Sequence, residues 1–162
     1  MHNSFLNTTY LARNFGFIFD GHLTFSDQIS ALSKSCYSHI HELRWIRCYL
    51  DSKTASIIAT SIVHSKLDYC NSLYYILPHC QILRLQLIQN SLARTVVKAP
   101  KFTHITPILK SLLWLKITKC IEYKMLYHTY RLLNLSDSQP PNLHDFISLQ
   151  PTRCTLQTSE ED

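Results

Sequence analysis

Glycine is almost missing from this chain: Gly16 and Gly21 are the only two in 162 residues. Tight hairpins and left-handed turns draw on glycine, and phosphate-cradling loops need several in register. Their scarcity excludes a Gly-rich nucleotide loop and favours helices over a β-sandwich. Long hydrophobic runs are lacking too. No apolar stretch approaches the roughly 18 residues of a membrane span, and no charged-then-apolar leader opens the sequence. An intracellular chain, cytoplasmic or nuclear, with no membrane partner is expected. The six cysteines, Cys36, Cys48, Cys70, Cys80, Cys120 and Cys154, contain no C-x-x-C pair. They are expected to be reduced thiols, mostly buried.

Adjacent carboxylates are confined to Glu160-Glu161-Asp162 at the end of the sequence, and Asp68 stands alone. Two-metal phosphoryl transfer needs paired carboxylates held in a structured turn, so that chemistry is not expected. Serine or cysteine catalysis needs a nucleophile, a histidine and an orienting acid in one constellation. None sits in a recognisable turn, and no catalytic residue is assigned. Cys36 and His39 lie three apart with His41 nearby, and His79 adjoins Cys80. Structural zinc usually takes two compact ligand pairs, and Cys36 belongs to an apolar stripe that explains it as core. No metal, cofactor or small-molecule substrate is expected.

What is present is apolar and basic. Apolar residues make up 46% of the chain, enough for a real core. Between Ala31 and Arg131 there are 14 Lys or Arg against Glu42, Asp51, Asp68 and Glu122, a local charge of +10. A body with that excess attracts polyanions in a salt-dependent way.

The pattern along the chain predicts a mainly α fold: a helical bundle of five to six helices behind one short N-terminal β-strand. Residues 1–12 are expected to be a disordered N-terminus. Residues 13–135 form the folded domain, and 136–162 a linker, short helix and acidic tail. Asn14 to Asp20 is aromatic and β-branched and predicts the strand, ending in a turn at Asp20-Gly21. Ser26 is the expected N-cap of a long helix whose apolar stripe is Ile29, Leu32, Cys36, Ile40, Leu43, Ile46 and Leu50. Asp51 or Ser52 caps a second helix to about Lys66, with Ile57, Ile58, Ser61, Ile62 and Ser65 near one face. A shorter piece from Tyr69 to Ile76 stops before Pro78. The next helix, His79 to Lys98, buries Ile82, Leu85, Ile88, Leu92 and Val96. A short helix at Ile108 to Leu115 takes Thr106 as cap and Pro107 at its first position. The last, Thr118 to Asn134, is apolar nearly all round and is expected at the centre.

Opposite the stripe of the first long helix lie Lys34, Tyr37, His41, Arg44 and Trp45. Cations and aromatic rings mixed along one helix suit phosphate contact plus base stacking; a solvated face would look the same. Arg94, Lys98 and Lys101 form a second basic cluster at a helix end, where the helix dipole also favours cations. Lys34, Tyr37, Arg44, Trp45, Arg94, Lys98 and Lys101 are the candidate nucleic-acid-binding residues.

Several blocks in order carry a resemblance. They are Asn14-Phe15-Gly16-Phe17-Ile18-Phe19-Asp20, Leu23-Thr24-Phe25-Ser26-Asp27-Gln28-Ile29, Leu67-Asp68-Tyr69-Cys70-Asn71-Ser72 and Leu77-Pro78. Leu85 to Arg94 (L-Q-L-I-Q-N-S-L-A-R), His104 to Leu115 (H-I-T-P-I-L-K-S-L-L-W-L) and Ile121-Glu122-Tyr123-Lys124 follow. From about Asn14 to Leu156 the chain resembles the region just downstream of the polymerase palm in non-LTR (LINE-type) retrotransposon reverse transcriptases. The sequence departs from that family at Phe15, where leucine is usual, and at Leu92, where alanine is usual. Leu113 stands where the family has histidine, Cys120 where arginine is common, and the second basic residue after Arg153 is missing.

The resemblance implies a palm-end strand followed by a thumb-like region that grips template and primer and holds nothing catalytic. It implies a non-catalytic piece of a reverse transcriptase, with at most weak, sequence-independent binding to RNA or DNA backbone. A helical protein-interaction module docking through Trp45, Tyr37 and apolar edges remains open, as does a decayed fragment with no function. Helix faces shaped against an adjoining palm would be left bare, which predicts non-specific self-association.

Overall fold

A computed structural model describes residues 11–134, with side chains from 12 to 131. The expected N-terminal segment 1–10 and the linker, short helix and acidic tail at 136–162 lie outside the described residues. The chain falls into two compact units, Met1–Met125 and Leu126–Asp162. The fold is mainly α with a small N-terminal sheet, as the sequence predicts.

The predicted strand is one arm of a hairpin. β1 (Leu11–Asn14) pairs antiparallel with β2 (Phe17–Asp20), Asn14 facing Phe17 across the turn. Leu11 and Ala12, expected in a disordered terminus, are thus hydrogen-bonded in a ladder. Phe15 and Gly16 make the two-residue turn with φ of 47° and 82°, the left-handed pair of a type I′ turn that matches strand twist. With Phe15 in place of the usual Asn, the turn does not announce itself in sequence. Phe17 then reaches the core and meets Phe25 at 5.5 Å and Tyr74 at 6.0 Å between ring centroids.

α1 (Ser26–Ile46) buries Ile29, Leu32, Cys36, Ile40 and Leu43 as its periodicity predicts. Its cap is Phe25, at φ 55°, and no side chain caps it. Ser26 is already helical, so its expected capping role is not realised. The stripe continues to Arg47 rather than Ile46, which is exposed. A 3-10 turn, Arg47–Tyr49, ends the segment.

Asp51 caps α2 (Ser52–Ala59), accepting from the Lys53 N–H at 3.0 Å and the Thr54 N–H at 3.1 Å. A π turn, Thr60–His64, joins α2 to α3 (Ser65–Asp68). The buried residues here are Ala55, Ala59, Val63 and Leu67, while Ile57 and Ile62 are exposed. The predicted face was wrong for a physical reason. Steps of four overshoot the 3.6-residue α turn, and the wider π turn takes up that excess, so a strict four-residue spacing stays on one side.

A 3-10 segment, Asn71–Ile76, leads through extended Leu77 to Pro78 and α4 (His79–Val97). The predicted core face of α4 is buried in full. α4 packs along α1, and their facing stripes make most of the core. α5 (Ile105–Ser111) starts earlier than predicted, behind His104, with Pro107 inside its first turn. It stops short of Leu115 because Leu113 turns left-handed at φ 58°.

α6 (Ile117–Asn134) has the predicted extent but not the central place. In the first unit only Ile117 and Ile121 are buried, and Tyr123 and Met125 are exposed. In the second unit Leu126, Tyr127 and Tyr130 are exposed, with the Arg131 guanidinium 5.8 Å from the Tyr127 ring centre. Apolar content all round a helix did not translate into burial. No helix of the described residues is long and apolar enough to cross a membrane.

Candidate nucleic-acid interface

The polar residues of the sequence blocks hold the scaffold together. Asp68 accepts from the Lys124 ammonium at 3.0 Å and from the Asn71 side-chain amide at 2.7 Å, tying α6 to the end of α3. Gln86 and Gln89 of α4 grip the chain entering α6. The Ile117 N–H donates to Gln86 Oε1 at 3.0 Å, and Gln89 donates to the Leu115 carbonyl at 2.8 Å. A lone Asp68 already committed to an amide and an ammonium is a structural group.

Where α1 and α4 lie side by side, a groove of about 840 Å³ opens at their adjacent ends. Its cations are Arg44, Arg47, Arg94, Lys98 and Lys101, and no carboxylate lines it. The ion pairs of the described residues lie elsewhere, at His39–Glu42, Lys119–Glu122 and Lys124–Asp68. Positive charge is therefore concentrated in one concavity, which focuses potential toward an anion.

Two of the guanidinium groups are aimed. Arg44 Nε–H donates to Thr95 Oγ1 at 3.1 Å and Nη2–H to Ser91 Oγ at 2.9 Å. Arg94 donates through Nε and Nη2 to the Thr103 carbonyl at 3.4 and 3.2 Å. A guanidinium carries five N–H donors, so each fork is fixed on one side and keeps donors for phosphate oxygens. Arg47 differs. It is 6% exposed, and it donates to Val96 O at 2.7 Å, Leu50 O at 2.6 Å and Ser52 Oγ at 3.2 Å. It welds α1 to α4 and adds charge to the groove from beneath.

Lys98 sits at the C-terminus of α4 with φ 55°, a left-handed position that glycine favours. Its side chain and that of Lys101 are exposed. Tyr37 also lines the groove, together with Cys48, Ser91 and Thr95.

Of the seven predicted residues, the groove gathers Tyr37, Arg44, Arg94, Lys98 and Lys101. Lys34 and Trp45 do not line it. Helical phase explains the split: at about 100° per residue, Tyr37, Arg44 and Cys48 share one line, while Lys34, His41 and Trp45 lie roughly 40–80° round the helix. Trp45 is 71% exposed, and its Nε1–H donates to His41 Nε2 at 3.3 Å. Arg47 was missed because a charge on an apolar stripe looks like a break in it. Only its buried carbonyl acceptors make sense of it.

Other predicted features resolve simply. Cys36 is in the core, where burial pushes its thiol up to about 11. The expectation of mostly buried thiols fails: Cys48 and Cys80 are exposed and Cys70 and Cys120 half-buried. These cysteines are free and scattered, and among the described residues no three His, Cys, Asp or Glu side chains gather as a metal ion requires. Comparison with protein-family models, with curated proteins and with solved structures gives no match to this chain.

Proposed function

We propose that this chain is the palm-end and thumb-like region of a retrotransposon-derived reverse transcriptase, acting without catalysis as a sequence-independent RNA or DNA binder. The observation that carries the binding is the groove: five cations, two of them with pre-aimed forks, and no carboxylate. Phosphate contacts of this kind position a strand without reading its bases. The ordered sequence blocks support the family assignment, and their polar residues make sense as scaffold for the groove. No reaction step is assigned, because the chain supplies no paired carboxylates around Asp68. Affinity is expected to be low, since binding rests on few contacts.

The test is a binding isotherm with a labelled oligonucleotide at two salt concentrations. Binding at about 50 mM salt that falls steeply at about 200 mM supports the proposal. Absence of binding at the lower salt, or affinity indifferent to salt, contradicts it. The double variant Lys98→Glu/Lys101→Glu should weaken binding and flatten its salt dependence while the fold is kept.

A second reading is a protein-interaction module, favoured by exposed Tyr75, Ile76, Leu83 and Phe102. Self-association on a sizing column without nucleic acid, unchanged in the same double variant, would support it instead.

A further inference from the structure

We propose that the groove takes a single strand rather than a duplex, with a base stacked on Trp45; this rests on the polyanion reading above. Three observations converge. The first is size. About 840 Å³ lies within the range of small-ligand sites, about 300–1,000 Å³. A duplex presents two phosphate rows across a groove roughly 12 Å wide, of which a concavity of this size receives at most one. A single strand can lie in it by its backbone and turn its bases outward.

The second is the placement of rings. Tyr37 is in the groove, and Trp45 stands on the flank of the same helix, roughly 80° round from it. Tyr49 follows in the 3-10 turn and is 87% exposed. A strand held by its phosphates in the groove would carry its bases toward that flank. Large rings left in water are costly unless something covers them, and base stacking on aromatic faces is sequence-tolerant.

The third is that the indole is held. His41 meets Trp45 at 5.9 Å between ring centres and accepts its N–H. The ring is thereby orientated on the helix before any ligand arrives, which reduces the entropy lost on stacking. Lys34 lies on the same flank and extends the positive surface beside it. Cations tracking one backbone beside exposed rings are the pattern of single-strand binders.

The experiment compares three probes of roughly 12 nucleotides: oligothymidylate, an abasic strand of equal length, and a blunt duplex. The chain has two tryptophans, Trp45 and Trp114, so Trp45→Phe supplies the fluorescence background. Oligothymidylate should quench the wild type and leave Trp45→Phe unquenched. Trp45→Ala should weaken oligothymidylate binding about 5- to 150-fold and leave the abasic strand unaffected. The duplex should bind more weakly than the single strand. Equal binding of the thymidylate and abasic strands without quenching, or a duplex bound as tightly as the strand, overturns the single-strand assignment and leaves the cationic groove standing. If none of the three binds at low salt, both proposals fall together.

Discussion

Arg47 concentrates the energetics of this molecule in one side chain. A buried guanidinium without a carboxylate survives only because its donors meet two carbonyls and a hydroxyl. Arg47→Met keeps the aliphatic stem but orphans those acceptors, and should lower stability by about 2–4 kcal/mol in urea denaturation. His64 is the other informative residue. Burial lowers its pKa from 6.5, partly opposed by Asp68, and its ring lies 5.1 Å from Trp114. The folded state therefore favours the neutral ring. Its contribution to stability is complete above about pH 6.5 and is lost as pH falls through the lowered folded value. The urea midpoint should drop between pH 7 and 5.5, and His64→Phe should flatten that dependence while keeping the contact with Trp114.

At the level of elements, the shortage of glycine has a cost. Among the described residues six that are not glycine, Phe15, Leu23, Phe25, Cys70, Lys98 and Leu113, hold positive φ, each disfavoured by roughly 1–2 kcal/mol. Phe15→Asn would restore the preferred type I′ pair and should stabilise by about 0.5–1 kcal/mol, read from the thermal or urea midpoint. Lys98→Gly should do the same for the end of α4 by about 1 kcal/mol, yet weaken polyanion binding. Opposite signs in the two measurements would separate a lysine kept for its charge from one that merely ends a helix. The helices were legible because periodicity of three and four survives in α1 and α4. The hairpin was not, since its turn residues read as strand, and neither was the buried face of α2, which depends on a π turn. The exposed surface of α6 was unreadable for a different reason: apolar composition says that a face wants cover, not whether the fold supplies it.

For the whole molecule, the groove is the property that single elements do not show. Tyr37 and Arg44 were visible as a stripe on α1, and Arg94, Lys98 and Lys101 as a cluster ending α4. Only the docking of α1 on α4 brings them into one concavity, and that contact is set by core side chains such as Leu43, Leu92 and Val96, which alternate with the cations on the same helices. Charge composition predicts an attraction to polyanions; packing gathers the cations in one place. The most direct measurement is the slope of log affinity against log salt for an oligothymidylate, in the wild type and in Lys98→Glu/Lys101→Glu. About three to four phosphate contacts, from Arg44, Arg94, Lys98 and Lys101, predict a slope of about −2 to −3, and the variant should flatten it by about 1 to 1.5. A wild-type affinity that ignores salt, or a variant with the wild-type slope and affinity, would contradict the groove as the place where this chain holds nucleic acid.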